Sequence, residues 1–223
     1  GPPVITLSRS KLDFSAVEGG GHTGAQTFLI TNSGEGLLKW TAAASAAWIL
    51  SDSPAGDGDA VITAAVAPTG LTAGSYTGSL TVADPEAANS PQTIAVNLTV
   101  YGAGATALPF GQFATPVDGA AAGSSVPVTG WALDDIGVAG VKIYLGETPP
   151  LVYLGDTVFI EGARPDIETA YPGYPINYKA GWGYMLLTHF LPNGGNGTYT
   201  LQAVAVDVAE RPLLHRLVGE ERL

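Results

Sequence analysis

The sequence predicts an all-β protein made of two tandem antiparallel sandwiches, and three observations carry that prediction. Among 223 residues, glycine (30) and proline (16) are abundant while lysine and glutamate, good helix formers, are sparse. Short runs of valine, threonine and alanine recur between turn residues. The stretch Gly102 to Ala107, GAGATA, has no side chain large enough to bury and divides these runs into two blocks, 1–101 and 108–223.

In the first block the strand-like segments are Ile5 to Ser8, Gln26 to Asn32, Leu37 to Ala43, Ala60 to Val66, Ser75 to Ala83 and Gln92 to Val100. In the last of these, Ile94, Val96, Leu98 and Val100 alternate with Thr93, Ala95, Asn97 and Thr99. A strand turns successive side chains to opposite faces, so one face meets a core and the other stays wetter. The turn Asn32-Ser33-Gly34-Glu35-Gly36 supplies residues that tolerate positive φ, and Leu71-Thr72-Ala73-Gly74 introduces the strand carrying Tyr76.

Leu12 and Phe14, the Asn-Ser-Gly turn, Trp40, Trp48-Ile49 and the run Leu71-x-x-Gly74-x-Tyr76-x-Gly78-x-Leu80-x-Val82 resemble a BACON-type domain. That resemblance spans nearly the whole first block. It implies an immunoglobulin-like sandwich from a secreted, often multidomain bacterial protein, with either a carbohydrate-binding or a spacer role.

The second block opens with a strand at Val126 to Leu133, a turn at Asp134-Asp135-Ile136-Gly137, and VAGVKIYLG, in which Val141, Ile143 and Leu145 face away from Lys142 and Tyr144. It closes with Gly197 to Asp207, a turn at Val208-Ala209-Glu210-Arg211, and a strand at Leu213 to Val218. The phrases VTGWALDD, VKIYLG and GTYTLQAVAVD resemble a bacterial Ig-like domain of surface and secreted proteins, over about 100 residues. The final turn departs from that pattern, which usually places glycine or asparagine there. The expected architecture is thus two tandem immunoglobulin-like β-sandwich domains, the second with a long aromatic loop insertion at 161–183.

The insertion starts with GARPDIETAYP, where a proline suited to a first helical position and acids in the first turn predict one or two helical turns ending at Pro172. Gly173 to Gly183 reads as irregular. Tyr171, Tyr174, Tyr178, Trp182 and Tyr184 fall in this short stretch, and two readings stay open. The rings form a ligand face that stacks on sugars or a partner peptide, with Arg164, Asp166 and Asn177 giving directional hydrogen bonds; or they pack on the loop itself and repay its ordering cost. Between the rings, Trp182 is expected in the core, and Tyr174 and Tyr178 form the expected exposed pair.

Asp134-Asp135 also has two readings: aspartates capping their own turn, or calcium ligands joined by Asp118, Asp156 or Asp207. No other cofactor is expected. Gly19 to Gly24 fits G-x-G-x-x-G formally but has no following helix, and reads as a hairpin loop. His22, His189 and His215 lack zinc-site spacing, and no nucleophile-elbow or H-E-x-x-H motif occurs. The triplets at Asn97 and Asn196 carry little weight in a bacterial chain.

The net charge of −11 and pI near 4.4 argue against nucleic acid or an anionic membrane surface as partner. No apolar run reaches the roughly 18 residues that span a bilayer, so membrane insertion is not expected. The absence of cysteine excludes disulfides and thiolate chemistry and is compatible with an exported bacterial protein. Gly1 reads as a cleavage remnant, with a signal peptide or further domains expected ahead of it in the natural protein. Together these features point to a non-catalytic structural or interaction module, secreted or at the cell surface or periplasm, with a polysaccharide or a surface protein as partner. A dedicated carbohydrate-binding module is the alternative, and a glycan-active enzyme is a third class.

Overall fold

The computed structural model describes residues 1–208 and the backbone of two short strands at 215–216 and 221–222. It divides into two compact units, Gly1–Thr106 and Ala107–Leu223.

In the first unit, β1 (Ile5–Leu7), β3 (Gln26–Asn32), β7 (Ala60–Val66) and β5 (Ile49–Ser51) form one sheet in the order β1-β3-β7-β5. The second sheet runs β2 (Lys11–Val17), β9 (Gln92–Tyr101), β8 (Gly74–Ala83), β4 (Lys39–Ala44) and β6 (Ala55–Asp57). β2 pairs with β9 in parallel; the other pairings are antiparallel. Every second residue of β9 (Ile94, Val96, Leu98, Val100) is buried, and Leu12, Phe14, Phe28, Ile30, Ile62, Leu80 and Val82 meet them in one core. The alternation read from the sequence is therefore the division between core and outer face.

Sequence reading passed over three strands here, β2, β5 and β6, the last two being only three residues long. Gly56 in β6 has a packing reason: a Cβ there would sit 2.4 Å from the Trp40 ring. The same indole donates from Nε1 to the carbonyl of Gly58 at 3.0 Å.

In the second unit, one sheet has the order β10 (Phe110–Thr115), β11 (Ser125–Leu133), β15 (Gly181–Leu187), β14 (Val158–Phe159). The other runs β13 (Val152–Asp156), β12 (Val138–Leu145), β16 (Thr200–Asp207), with the backbone strands β17 (His215–Arg216) and β18 (Glu221–Arg222) both paired to β16. Phe113, Val126, Val128, Val141, Ile143, Trp182, Leu186, Leu201, Ala203 and Ala205 fill the space between the sheets. Two opposed sheets around one apolar core make each unit an immunoglobulin-like β-sandwich.

Val141 and Ile143 enter the core as their alternation predicts, and Leu145 is partly buried against it. The strand expected at Leu213 to Val218 is described only as the backbone at 215–216, and the turn residues Ala209 to Arg211 lie outside the described residues. No helix among the described residues is long and apolar enough to cross a membrane.

Candidate functional site: the aromatic loop

The loop between β14 and β15 begins and ends on fixed backbone. Ile160 N–H donates to Gly181 O at 2.8 Å, Gly162 N–H to Tyr178 O at 2.9 Å, and Ala132 N–H, from β11, to Ala180 O at 3.0 Å. Helix α1 spans Pro165–Ala170, with proline at its start and Asp166 and Glu168 in its first turn, matching the expected short helix. A single 3-10 turn follows at Asn177–Lys179.

The irregular stretch ends earlier than the sequence suggested. β15 starts at Gly181, because Gly181, Trp182 and Gly183 pair with Trp131, Gly130 and Thr129 of β11. Glycine is needed opposite Trp182: a Cβ on Gly130 would lie 2.3 Å from its ring. Trp182 is 3% exposed and belongs to the sandwich core, with its ring edge-on to Phe113. It has no surface to offer a ligand.

Tyr184 packs on the sandwich core and donates from its hydroxyl to Leu154 O at 3.0 Å, whereas Tyr171 and Tyr174 help build a second, smaller core outside the sandwich. Trp131, Leu133, Ile167 and Ala180 are buried in it, and Phe110, Tyr171 and Tyr174 pack against them partly buried. Phe110 meets Trp131, Tyr171 and Tyr174 at centroid distances of 5.7, 5.2 and 5.5 Å and at steep angles of 65° to 90°. Tyr171 and Tyr174 stand at 88° to each other. Edge-to-face contact suits the ring quadrupoles, but the rings so arranged share no plane. Tyr174 and Tyr178, the pair expected to be exposed, are both intermediate in burial.

The polar residues are committed within the loop. Asn177 is 8% exposed, and its Nδ2 donates to Glu168 O at 3.2 Å and Tyr171 O at 3.0 Å, fastening the end of α1. Arg164 and Asp166 grip each other: Nε donates to Oδ1 at 2.9 Å and Nη2 to Oδ2 at 2.7 Å. That fork holds the Asp166 carboxyl below its ordinary pKa and raises that of Arg164. Ile176 takes φ 56° and ψ 27°, a left-handed conformation that costs a β-branched residue about 1–2 kcal/mol. It lies between buried Pro175 and buried Asn177, so the loop's own anchoring maintains the strained turn.

The aspartates after β11 form a separate feature. Asp134 is 1% exposed; its Oδ1 accepts from Ile136 N–H at 2.8 Å. Asp135 Oδ2 accepts from Ala107 N–H at 2.7 Å. Both therefore serve as backbone caps, as Asp does in turns. Burial raises the Asp134 carboxyl pKa to about 6, and the charges of Asp135 and Asp207 add to it. Asp156 is held by Lys142 at 2.8 Å. Among the described residues no three acidic or imidazole side chains lie close enough to hold a metal ion.

Two features of this unit lay outside sequence reasoning. Phe110 and Trp131 are the floor of the small core, yet nothing in their local pattern ties them to a loop some 40–60 residues later. On the outer face of β12 and β13, Tyr144 and Tyr153 pair edge-on at 5.7 Å, with Lys142 5.4 Å from the Tyr153 ring centre; the β13 segment carried no strand signal strong enough to place Tyr153 there.

No family model matches the chain, and no curated protein matches it. Similar solved structures include the chimeric titin Z1Z2 functionalized with an exogenous peptide from decorin, at TM-score 0.34 and 14% identity over 100% of this chain and 95% of that one. The YadV chaperone has TM-score 0.33 and 9% identity over 98% and 99%. A Bacteroides ovatus GH5 xyloglucanase, in complex with a XXXG heptasaccharide, has TM-score 0.35 and 20% identity; the match covers 44% of this chain and 19% of the xyloglucanase. With TM-scores this low, the fold assignment stands on the chain's own sheets and cores.

Proposed function

We propose that the chain is a non-catalytic structural and interaction module of a larger exported bacterial protein, spacing or presenting neighbouring domains. The observation that supports this reading best is the fate of the aromatic loop. Tyr171 and Tyr174 are spent on each other, on Phe110 and on the buried side chains around Trp131, and Asn177, Arg164 and Asp166 on loop backbone and on each other. A loop built this way stiffens one end of a sandwich. The BACON-like pattern of the first unit fits the same role, since such domains recur in multidomain secreted proteins. A glycan-active enzyme needs two carboxyl groups facing across a cleft, roughly 5–10 Å apart. The adjacent pair Asp134 and Asp135 is instead turned to backbone N–H groups.

A second reading, a carbohydrate-binding module, is favoured by one observation: Tyr171, Tyr174 and Tyr178 keep part of their surface in water. A glycan or a surface protein would then meet their rims rather than a flat platform. A glycan-array and polysaccharide pull-down screen of the wild type beside a Tyr174→Ala, Tyr178→Ala double variant separates the readings. Glycan binding that the variant loses, with its fold intact, makes the module carbohydrate-directed and removes the spacer reading. No glycan binding, with a clearly destabilised variant, is the outcome expected for the spacer.

A further inference from the structure

The turn that joins β11 to β12 leaves two carboxylate oxygens in an unusual state. Asp134 and Asp135 each use one oxygen to cap a backbone N–H. The other oxygen of each, Asp134 Oδ2 and Asp135 Oδ1, is buried and has no hydrogen-bond partner. Asp134 as a whole is 1% exposed, so water does not hydrate that oxygen freely. Asp207, at the end of β16 and 3% exposed, is brought to this end of the sandwich because its register partner is Val138, the first residue of β12. Its charge reaches Asp134, as does that of Asp135.

Buried charge without compensation is costly, and proteins ordinarily pair it with a cation. Among the described residues no lysine, arginine or histidine is hydrogen-bonded or ion-paired to Asp134 or Asp135. We propose that the two open oxygens, Asp134 Oδ2 and Asp135 Oδ1, are ligands of a hard divalent cation of the calcium type. With two side-chain ligands the remaining coordination falls to backbone carbonyls and water. Calcium accepts such mixed oxygen shells, and sites of few carboxylates bind in the range of about 10⁻⁴ to 10⁻³ M found in extracellular modules. The cation would tie the β11–β12 turn to the start of β10, because Asp135 already holds the backbone at Ala107.

The test is calorimetric unfolding of the full chain at neutral pH, after treatment with a chelator, in calcium chloride or in potassium chloride of equal ionic strength. At about 5 mM calcium the wild-type transition should rise by about 4 °C or more, as binding confined to the folded state requires for a unit of this size. Asp134→Asn and Asp135→Asn each keep a carbonyl oxygen to cap the same N–H, and each should abolish most of the calcium-dependent rise. Their transitions in chelator should equal or exceed that of the wild type. The proposal is overturned if calcium does no more than potassium, or if both variants keep the full rise. Should a variant fail to fold, titration of the wild type with calcium chloride decides: one saturable site per chain is expected, and no saturable binding overturns it.

Discussion

If the aromatic loop is a small core, removing one of its rings destabilises the second unit. Tyr174→Ala is the sharpest case, because the ring has two aromatic neighbours, Phe110 at 5.5 Å and Tyr171 at 6.0 Å. Each such pair contributes about 0.5–1.5 kcal/mol beyond buried area. The ring is only partly buried, so its transfer term is a fraction of the 1.5–3 kcal/mol that full burial of a large side chain gives, roughly 1 kcal/mol. The expected loss is about 2–4 kcal/mol. Tyr174→Phe keeps both ring contacts and should stay within about 0.5 kcal/mol of the wild type. Urea unfolding followed by tryptophan fluorescence is a suitable assay, since Trp131 lies 5.5 Å from the Tyr171 ring. A Tyr174→Ala midpoint equal to that of the wild type, with an unchanged m value, would refute the small-core account and return the ring to a ligand face.

Three further outcomes follow from the geometry. In chelator, stability should fall as pH rises from about 4 to 7, because burial raises the Asp134 carboxyl to about 6 in the folded chain, against about 3.9 for an aspartate in an unfolded one. The folded chain binds the extra proton in that window, so deprotonation disfavours the fold, by an amount on the order of 1–3 kcal/mol. Asp134→Asn should flatten the slope of a pH series of melts. Gly130→Ala sets a Cβ 2.2 Å from Gln112 O and 2.3 Å from the Trp182 ring, and since one neighbour is backbone, a loss of at least about 3 kcal/mol is expected in denaturant melts. Asn177→Ala removes both donors to Glu168 O and Tyr171 O, which should cost about 1–3 kcal/mol and raise amide exchange across α1.

The long strands were legible because their burial is periodic. β3, β7 and β9 each hide alternate residues, and the apolar-polar alternation is the same fact written in the sequence. β5, β6 and β14, at two or three residues each, are too short to show a period. β2 escaped for another reason: it buries Ser15 along with Phe14 and Ala16, which breaks the alternation. Its parallel pairing with β9 also joins segments some 80 residues apart, so no hairpin turn announces it.

At the candidate site, residue types were legible and their partners were not. Two prolines and the ring density marked a loop that had to bury something, and the helix at Pro165 was readable from its first turn. What decides between a platform and a small core is the identity of the floor, and Phe110 and Trp131 belong to strands made long before the loop in chain order. Sequence offered Asn177 as a hydrogen-bonding group only on the ligand-face reading, and its partners were not legible, because an asparagine's two donors look equally free until the carbonyls of Glu168 and Tyr171 are placed beside them. The same logic separates the rings. Trp182 is committed by a glycine on the neighbouring strand that makes room for an indole, whereas Tyr171 and Tyr174 are held by the side chains of the small core, the rings of Phe110 and Trp131 among them. A side chain fixed by backbone complementarity cannot be recruited by a ligand without unfolding the sheet. One fixed by neighbouring rings can reorient at the cost of those contacts, so any partner of this loop must offer Tyr171 and Tyr174 as much contact as Phe110 and Trp131 already do.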